Sequence, residues 1–169
     1  CIMYPSDLML AAEQVVNILR QRGKMIATAE SCTGGLLAGL FTEFAGSSDV
    51  FERGFVTYSN AAKSQSLGVA ESLIASHGAV SSEVAQAMAS GVIDHSTAEF
   101  AVSITGIAGP GGGTASKPVG LVYTGCARRG EQKIDVREHR FGDIGRAGVR
   151  LATLAAVLQQ INDAIASAA

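Results

Sequence analysis

The segment Phe100 to Thr105 (F-A-V-S-I-T) constrains the fold most, because it is a continuous run of apolar and small residues that leads directly into Gly106-Ile107-Ala108-Gly109-Pro110-Gly111-Gly112-Gly113. A strand with one wet face alternates apolar and polar side chains, whereas a continuous run is covered on both faces, as inside an α/β sheet. The remaining segments agree with that reading. Leu8, Ala11, Ala12, Val15, Ile18 and Leu19 have the 3.6-residue spacing of an amphipathic helix, with Gly23 as its stop. Met25–Ala29 reads as a short buried strand, Leu36–Phe44 as a helix, Phe55–Tyr58 as a strand, and Ser59 or Asn60 as the cap of a helix carrying Lys63 and Leu67. Helices follow at Ala70–Ala75 and Ser82–Ser96. Val119–Ala127 and Lys133–Phe141 read as a hairpin, and Arg146–Ala166 as the last helix. Helices and strands alternate without repeat or linker, so we expect one domain over 1–169, a three-layer α/β/α sandwich with a mixed, mostly parallel sheet.

Composition narrows the function classes. With 47% hydrophobic and 17% charged residues the chain has the opposite balance to a disordered one. Its formal charge of −2 argues against a non-specific nucleic-acid binder. The basic residues Arg128, Arg129, Lys133, Arg137 and Arg140 alternate with acidic ones, as on a solvated hairpin face. No apolar run nears the ~18 residues of a membrane span, and no leader pattern opens the chain. Cys1, Cys32 and Cys126 form no CxxC pair, which suits a reducing cytoplasm. His77, His95 and His139 have no ligand spacing, so no metal is expected. The 20 glycines in 169 residues exceed the average of roughly 7%, and they concentrate where strands end.

Three loops after strands are rich in small polar residues, and ligands of open α/β sheets bind outside the carboxyl ends of the strands. In Glu30–Gly35, Ser31 stands on a strand-to-helix turn, with Thr33, Gly34 and Gly35 opening the next helix. Free backbone N–H groups there would hold an anion or oxyanion, or Ser31 would simply cap the helix. Cys32 is the rival nucleophile, and a core thiol is the simpler reading. In Tyr58–Lys63, Lys63 is either a solvated lysine or, if buried, a base of lowered pKa. Tyr58 is a packing residue or a ring that stacks on a flat ligand. The third loop, Thr105–Lys117, fits neither a P-loop, since Pro118 follows Lys117, nor GxGxxG, since Thr114 stands where the last glycine belongs. It remains a mobile turn or a backbone cradle for a ligand.

Taken together, T-A-E-S-C-T-G-G (28–35), A-G-S-S-D-V-F-E-R-G-F-V-T-Y-S-N-A-A-K (45–63), H-G-A-V-S (77–81), S-I-T-G-I-A-G-P-G-G-G (103–113) and K-P-V-G-L-V (117–122) resemble the C-terminal domain of the competence/damage-inducible CinA family. The resemblance runs from Leu8 to about Ala164, and several long motifs in order make it specific. Longer members carry a molybdopterin-binding-like domain, which is not expected here. The resemblance implies hydrolysis of the carboxamide of nicotinamide mononucleotide to nicotinate mononucleotide and ammonia, with no metal and no cofactor. It makes Ser31 the nucleophile and Lys63 its base, adds Tyr58 to the catalytic residues, and puts Tyr58, Thr105 and Arg146 near the ligand. The last motif departs from the family pattern F-x-G-D-R-x-x-V-R, because Gly145 precedes Arg146 and Asp143 lies two positions earlier; Arg150 is the alternative ligand arginine.

The substrate chemistry matches the residues. Backbone around Gly106 and Gly109, with Arg146, suits a phosphate. Tyr58 or Glu30 would face the cationic ring, and amides at the start of the Leu36 helix would hold the oxyanion. A pyridine-nucleotide sensor without turnover is the alternative from another class, and a different amidase on the same scaffold is a third. The weakly charged, Ala-rich helices suit a homo-oligomer.

Overall fold

The structure, a computed structural model, describes residues 4–168; Cys1 lies outside them. In chain order the elements are α1 (Ser6–Gln21), β1 (Ile26–Glu30), α2 (Leu36–Thr42), β2 (Phe51–Val56), α3 (Asn60–Leu67), α4 (Glu71–His77), α5 (Ser82–Asp94), β3 (Phe100–Gly106), β4 (Leu121–Arg128), β5 (Asp135–Arg140) and α6 (Arg146–Ser167). The strands form one five-stranded sheet in the order β2-β1-β3-β4-β5. β1 is parallel to β2 and β3, β4 is antiparallel to β3, and β5 is antiparallel to β4. All strands except β4 therefore point the same way, which gives the mixed α/β architecture.

The pleat sorts side chains between two cores. Ile26, Phe100, Val102, Ile104 and Val122 face α1, α2 and α6 and pack on Leu19, Phe41 and Leu158. Ala27, Ala29, Ala101 and Ala127 face α3, α4 and α5, against Leu67, Ile74, Val84, Met88 and Val92. The second face is built of small residues, so α5 lies close to the sheet. Ser103 Oγ donates to Ala85 O at 2.6 Å, and a Cβ on Gly125 would come within 2.9 Å of the same carbonyl.

β2 begins four residues before the apolar run that predicts it, and it ends before Tyr58. It pairs only with β1 and is half exposed. Glu52 and Arg53 are charged, as befits an edge strand, and a search for apolar runs passes over them. Tyr58 stands in the connection to α3, 58% exposed.

The topology fixes where a site can form. From β1 the chain passes over one face through α2 to β2, then over the other face through α3, α4 and α5 to β3, on the opposite side of β1. Such a switch point opens a crevice at the carboxyl end of the strand where the direction reverses. That strand is β1, and the residue after it is Ser31.

Candidate active site

Ser31 is held by the strand ladder, because its N–H donates to Ile104 O at 3.0 Å, extending the β1–β3 pairing. The chain then turns through Cys32 and Thr33 to Gly34 and Gly35, whose φ values of +61° and +96° lie in the left-handed region that side chains with a Cβ avoid. This turn leaves Ser31 nearly buried, with its hydroxyl at the crevice floor.

Lys63 reaches the same point from α3. Ser59 Oγ caps that helix by accepting from Ala62 N at 3.0 Å, and Gly68 in left-handed conformation ends it. The cap orients the first turn so that Lys63 points inward, where it is 1% exposed. Its Nζ hydrogen-bonds Ser31 Oγ at 3.0 Å and donates to Thr57 O at 2.9 Å. Burial pushes the Lys63 ammonium below its ordinary pKa, with the Cys32 thiol opposing only in part. A lysine so buried, with one hydrogen bond to a carbonyl and one to a hydroxyl, gives up its proton more readily than a solvated one. Cys32 is the opposite case. Burial pushes its thiol up to about 11, so at neutral pH it is a protonated core group rather than a nucleophile.

A cleft of about 260 Å³ opens above the pair. One wall is the glycine loop from Thr105 through Gly106 and Gly109 to Gly112, another is Ala79 and Val80, and Tyr58, Asn60 and Arg146 form the rim. Thr105 Oγ1 donates to Ala79 O at 2.7 Å and ties the two walls together. Arg146 spans the mouth, with Nη1 donating to Gly109 O at 3.0 Å and Nη2 to Tyr58 Oη at 2.7 Å. Gly106 is required by space: a Cβ there would lie 2.6 Å from Val122 Cγ2 and 2.9 Å from Leu121 O. Larger hollows exist between α4 and α5, about 470 Å³, and beside Arg128 and Asp163, about 320 Å³. Neither joins a hydroxyl to a buried lysine; in the second, Cys126 lies opposite Asp135 on the strand ladder, but burial pushes its thiol up to about 12, so chemistry and not volume selects the smaller cleft.

The structure thus gathers Ser31, Lys63, Tyr58, Thr105, Gly106, Gly109 and Arg146 around one cleft. It does not bring Glu30, Thr33, Gly34 or Gly35 to the lining. Glu30 turns to the α2 side, where its carboxylate accepts from Leu37 N at 2.8 Å and Ala38 N at 3.1 Å. The expectation that amides at the start of the Leu36 helix face the reaction is therefore corrected. Leu37 and Ala38 are committed to Glu30, and Leu36 N donates to Thr33 O. Arg150 also points elsewhere, with Nη2 donating to Thr33 O at 3.0 Å from behind the turn. Asn60, Ala79 and Val80 were not singled out from sequence. Asn60 had a usable signal, since it precedes Lys63 by three residues and shares its side of α3. Among the described residues, no three His, Cys, Asp or Glu side chains converge to hold a metal ion, and no helix is long and apolar enough to cross a membrane.

An α/β sandwich with a buried serine–lysine contact at its switch point defines the architectural class. Within it, the chain belongs to the CinA C-terminal domain family, whose model matches residues 9–165. It is 50% identical over 159 residues to the nicotinamide-nucleotide amidohydrolase PncC of Escherichia coli K12, covering 94% of this chain and 95% of that protein. It is also 47% identical over 139 residues to a competence-damage inducible protein of Caldicellulosiruptor bescii, of which the match spans 33%. Among solved structures, the competence/damage inducible protein CihA from Agrobacterium tumefaciens superposes with a TM-score of 0.94 at 47% identity, over 96% of this chain and 98% of that one. Competence damage-inducible protein A from Klebsiella pneumoniae superposes with a TM-score of 0.89 at 31% identity, over 94% and 97%.

Proposed function

We propose that the chain hydrolyses the carboxamide of nicotinamide mononucleotide to nicotinate mononucleotide and ammonia, through an acyl-enzyme on Ser31. The observation that carries the mechanism is the buried 3.0 Å contact between Lys63 Nζ and Ser31 Oγ. Support for the substrate comes from the amidohydrolase relative, alike over nearly its whole length.

In the first half-reaction neutral Lys63 takes the Ser31 proton as Oγ attacks the amide carbon. The tetrahedral intermediate collapses when Lys63 returns that proton to the departing nitrogen, releasing ammonia and leaving an ester on Ser31. In the second, water attacks the ester while Lys63 takes its proton, and the proton passes back to Ser31 as the acid leaves. With the α2 amides occupied, the backbone N–H of Cys32, which lines the cleft next to Ser31, is the donor for the oxyanion; among the described residues it has no backbone acceptor. The glycine loop and Arg146 receive the phosphate, and the Tyr58 ring lies at the rim for the pyridinium. The same reading makes 1–169 one amidohydrolase domain that acts on a small nucleotide in the cytoplasm, as a homo-oligomer.

Incubation of the purified protein with nicotinamide mononucleotide, followed by assay for ammonia and nicotinate mononucleotide, tests the reading. Both products should appear with the wild type and be lost in folded Ser31→Ala and Lys63→Ala. Binding without product would replace the enzyme by a sensor, and full activity of Ser31→Ala would remove the nucleophile assignment.

A further inference from the structure

Glu30 is a carboxylate 1% exposed, one residue before the nucleophile, yet outside the cleft. Its two oxygens accept separately from Leu37 N at 2.8 Å and Ala38 N at 3.1 Å, so one side chain bridges the end of β1 to the first turn of α2. Burial pushes the Glu30 carboxyl above its ordinary pKa, and the two amide hydrogen bonds from Leu37 and Ala38 work against that rise. Its own backbone takes part as well. Glu30 O accepts from Thr57 N at 2.9 Å, and Thr57 O is the acceptor that holds Lys63 Nζ. From behind, Arg150 fixes Thr33 O. Glu30 thus lies where the supports of the nucleophile and of the base meet.

We propose that Glu30 is a positioning residue for the reaction: by bracing α2 against β1 through two carboxylate hydrogen bonds, it fixes the Ser31–Gly35 turn and the aim of Ser31 Oγ at Lys63. This rests on the Ser31–Lys63 reading above. It also replaces the expectation that Glu30 faces the cationic ring, and the two roles leave opposite kinetic signatures. A positioning residue acts on kcat, whereas a ring contact acts on KM.

Glu30→Gln is the direct test. Gln is isosteric, but it presents an NH₂ to one of two amide donors, so only one hydrogen bond survives. Assays run below the unfolding transition, with rates normalised to folded protein by circular dichroism. kcat is expected to fall about 10²-fold with KM within about 3-fold, the usual cost of a misplaced catalytic group. Inactivation of Ser31 by a small sulfonyl fluoride, which needs no nucleotide binding, should slow by the same factor. Glu30→Asp keeps the charge but shortens the reach by one methylene, and it should restore neither rate. Wild-type kcat in folded Glu30→Gln overturns the inference, as does a rise in KM at unchanged kcat. Failure of both variants to fold also overturns it, because Glu30 then serves the fold and not the aim of Ser31. Ser31→Ala assayed in parallel separates the two levels. If it is active, the Ser31–Lys63 reading fails; if it is inactive while Glu30→Gln is normal, only this inference fails.

Discussion

Ser31 and Lys63 stand 32 residues apart, and their 3.0 Å contact is the smallest unit from which the proposed chemistry follows. The pH behaviour belongs to this scale. Burial disfavours the charged lysine, so the folded-state pKa lies below the ordinary 10.5 and the neutral base is populated at lower pH than in a solvated lysine. kcat/KM should therefore rise with pH along one ionisation below 10.5, and a profile flat through that range would remove Lys63 as the base. Linkage runs in the same direction. The unfolded chain binds this proton more tightly than the folded one, so the Lys63 contribution to stability improves as pH rises from its folded pKa toward 10.5. The strand-to-helix turn at Ser31 is legible because a hydroxyl between a buried strand and a Gly-Gly helix start is a local pattern, but that pattern leaves helix capping open, and the nucleophile role comes from the family resemblance. The burial of Lys63 is not legible, since it depends on Thr57, Ser31 and the α5 side of the sheet, and only the family resemblance points to it. The hydrogen bonds of Glu30 are illegible for a related reason. Its partners Leu37 and Ala38 come within reach only after the chain doubles back through Gly34 and Gly35.

Among the elements, α6 carries the most varied duty. Arg146 and Arg150 lie one turn apart on its first turns, the former holding Gly109 O and Tyr58 at the mouth, the latter Thr33 O behind the Ser31 turn. One helix end thus sets the spacing between the glycine loop and the Ser31 turn. Lysine in place of Arg146 keeps the charge but loses the fork that serves two partners. Arg146→Lys should lower kcat/KM about 10–10²-fold, the scale of one or two charge-assisted hydrogen bonds, with most of the loss in KM if Arg146 receives the phosphate. Steady-state kinetics with nicotinamide mononucleotide reads this, and an unchanged kcat/KM would exclude Arg146 from the site. The sequence pattern located α6 to within a residue at its start, because Gly145 precedes a long apolar stripe. It left Arg146 and Arg150 unresolved, since the four-residue interval puts both on the same face of the helix.

The whole molecule places these parts by a rule of topology. Two connections leave β1 in opposite directions over opposite faces, and the crevice between them receives Ser31 from the strand end, Lys63 from α3 and the glycine loop from β3. The layered α/β fold could be read from the alternation of elements, and β3 from its unbroken apolar run. The edge strand β2 was half missed, because an edge position tolerates Glu52 and Arg53 and leaves no apolar signal. Strand order was beyond reach, because pairing is decided by which faces bury together and not by any single segment. Covalent catalysis on an amide is the chemistry proposed for this crevice. Acid quench of the enzyme during turnover of nicotinamide mononucleotide, followed by peptide mass spectrometry, addresses it directly. A nicotinate mononucleotidyl ester is expected on the peptide containing Ser31, and it is absent in Ser31→Ala together with product. Turnover in Ser31→Ala, or an adduct on another residue, would contradict it.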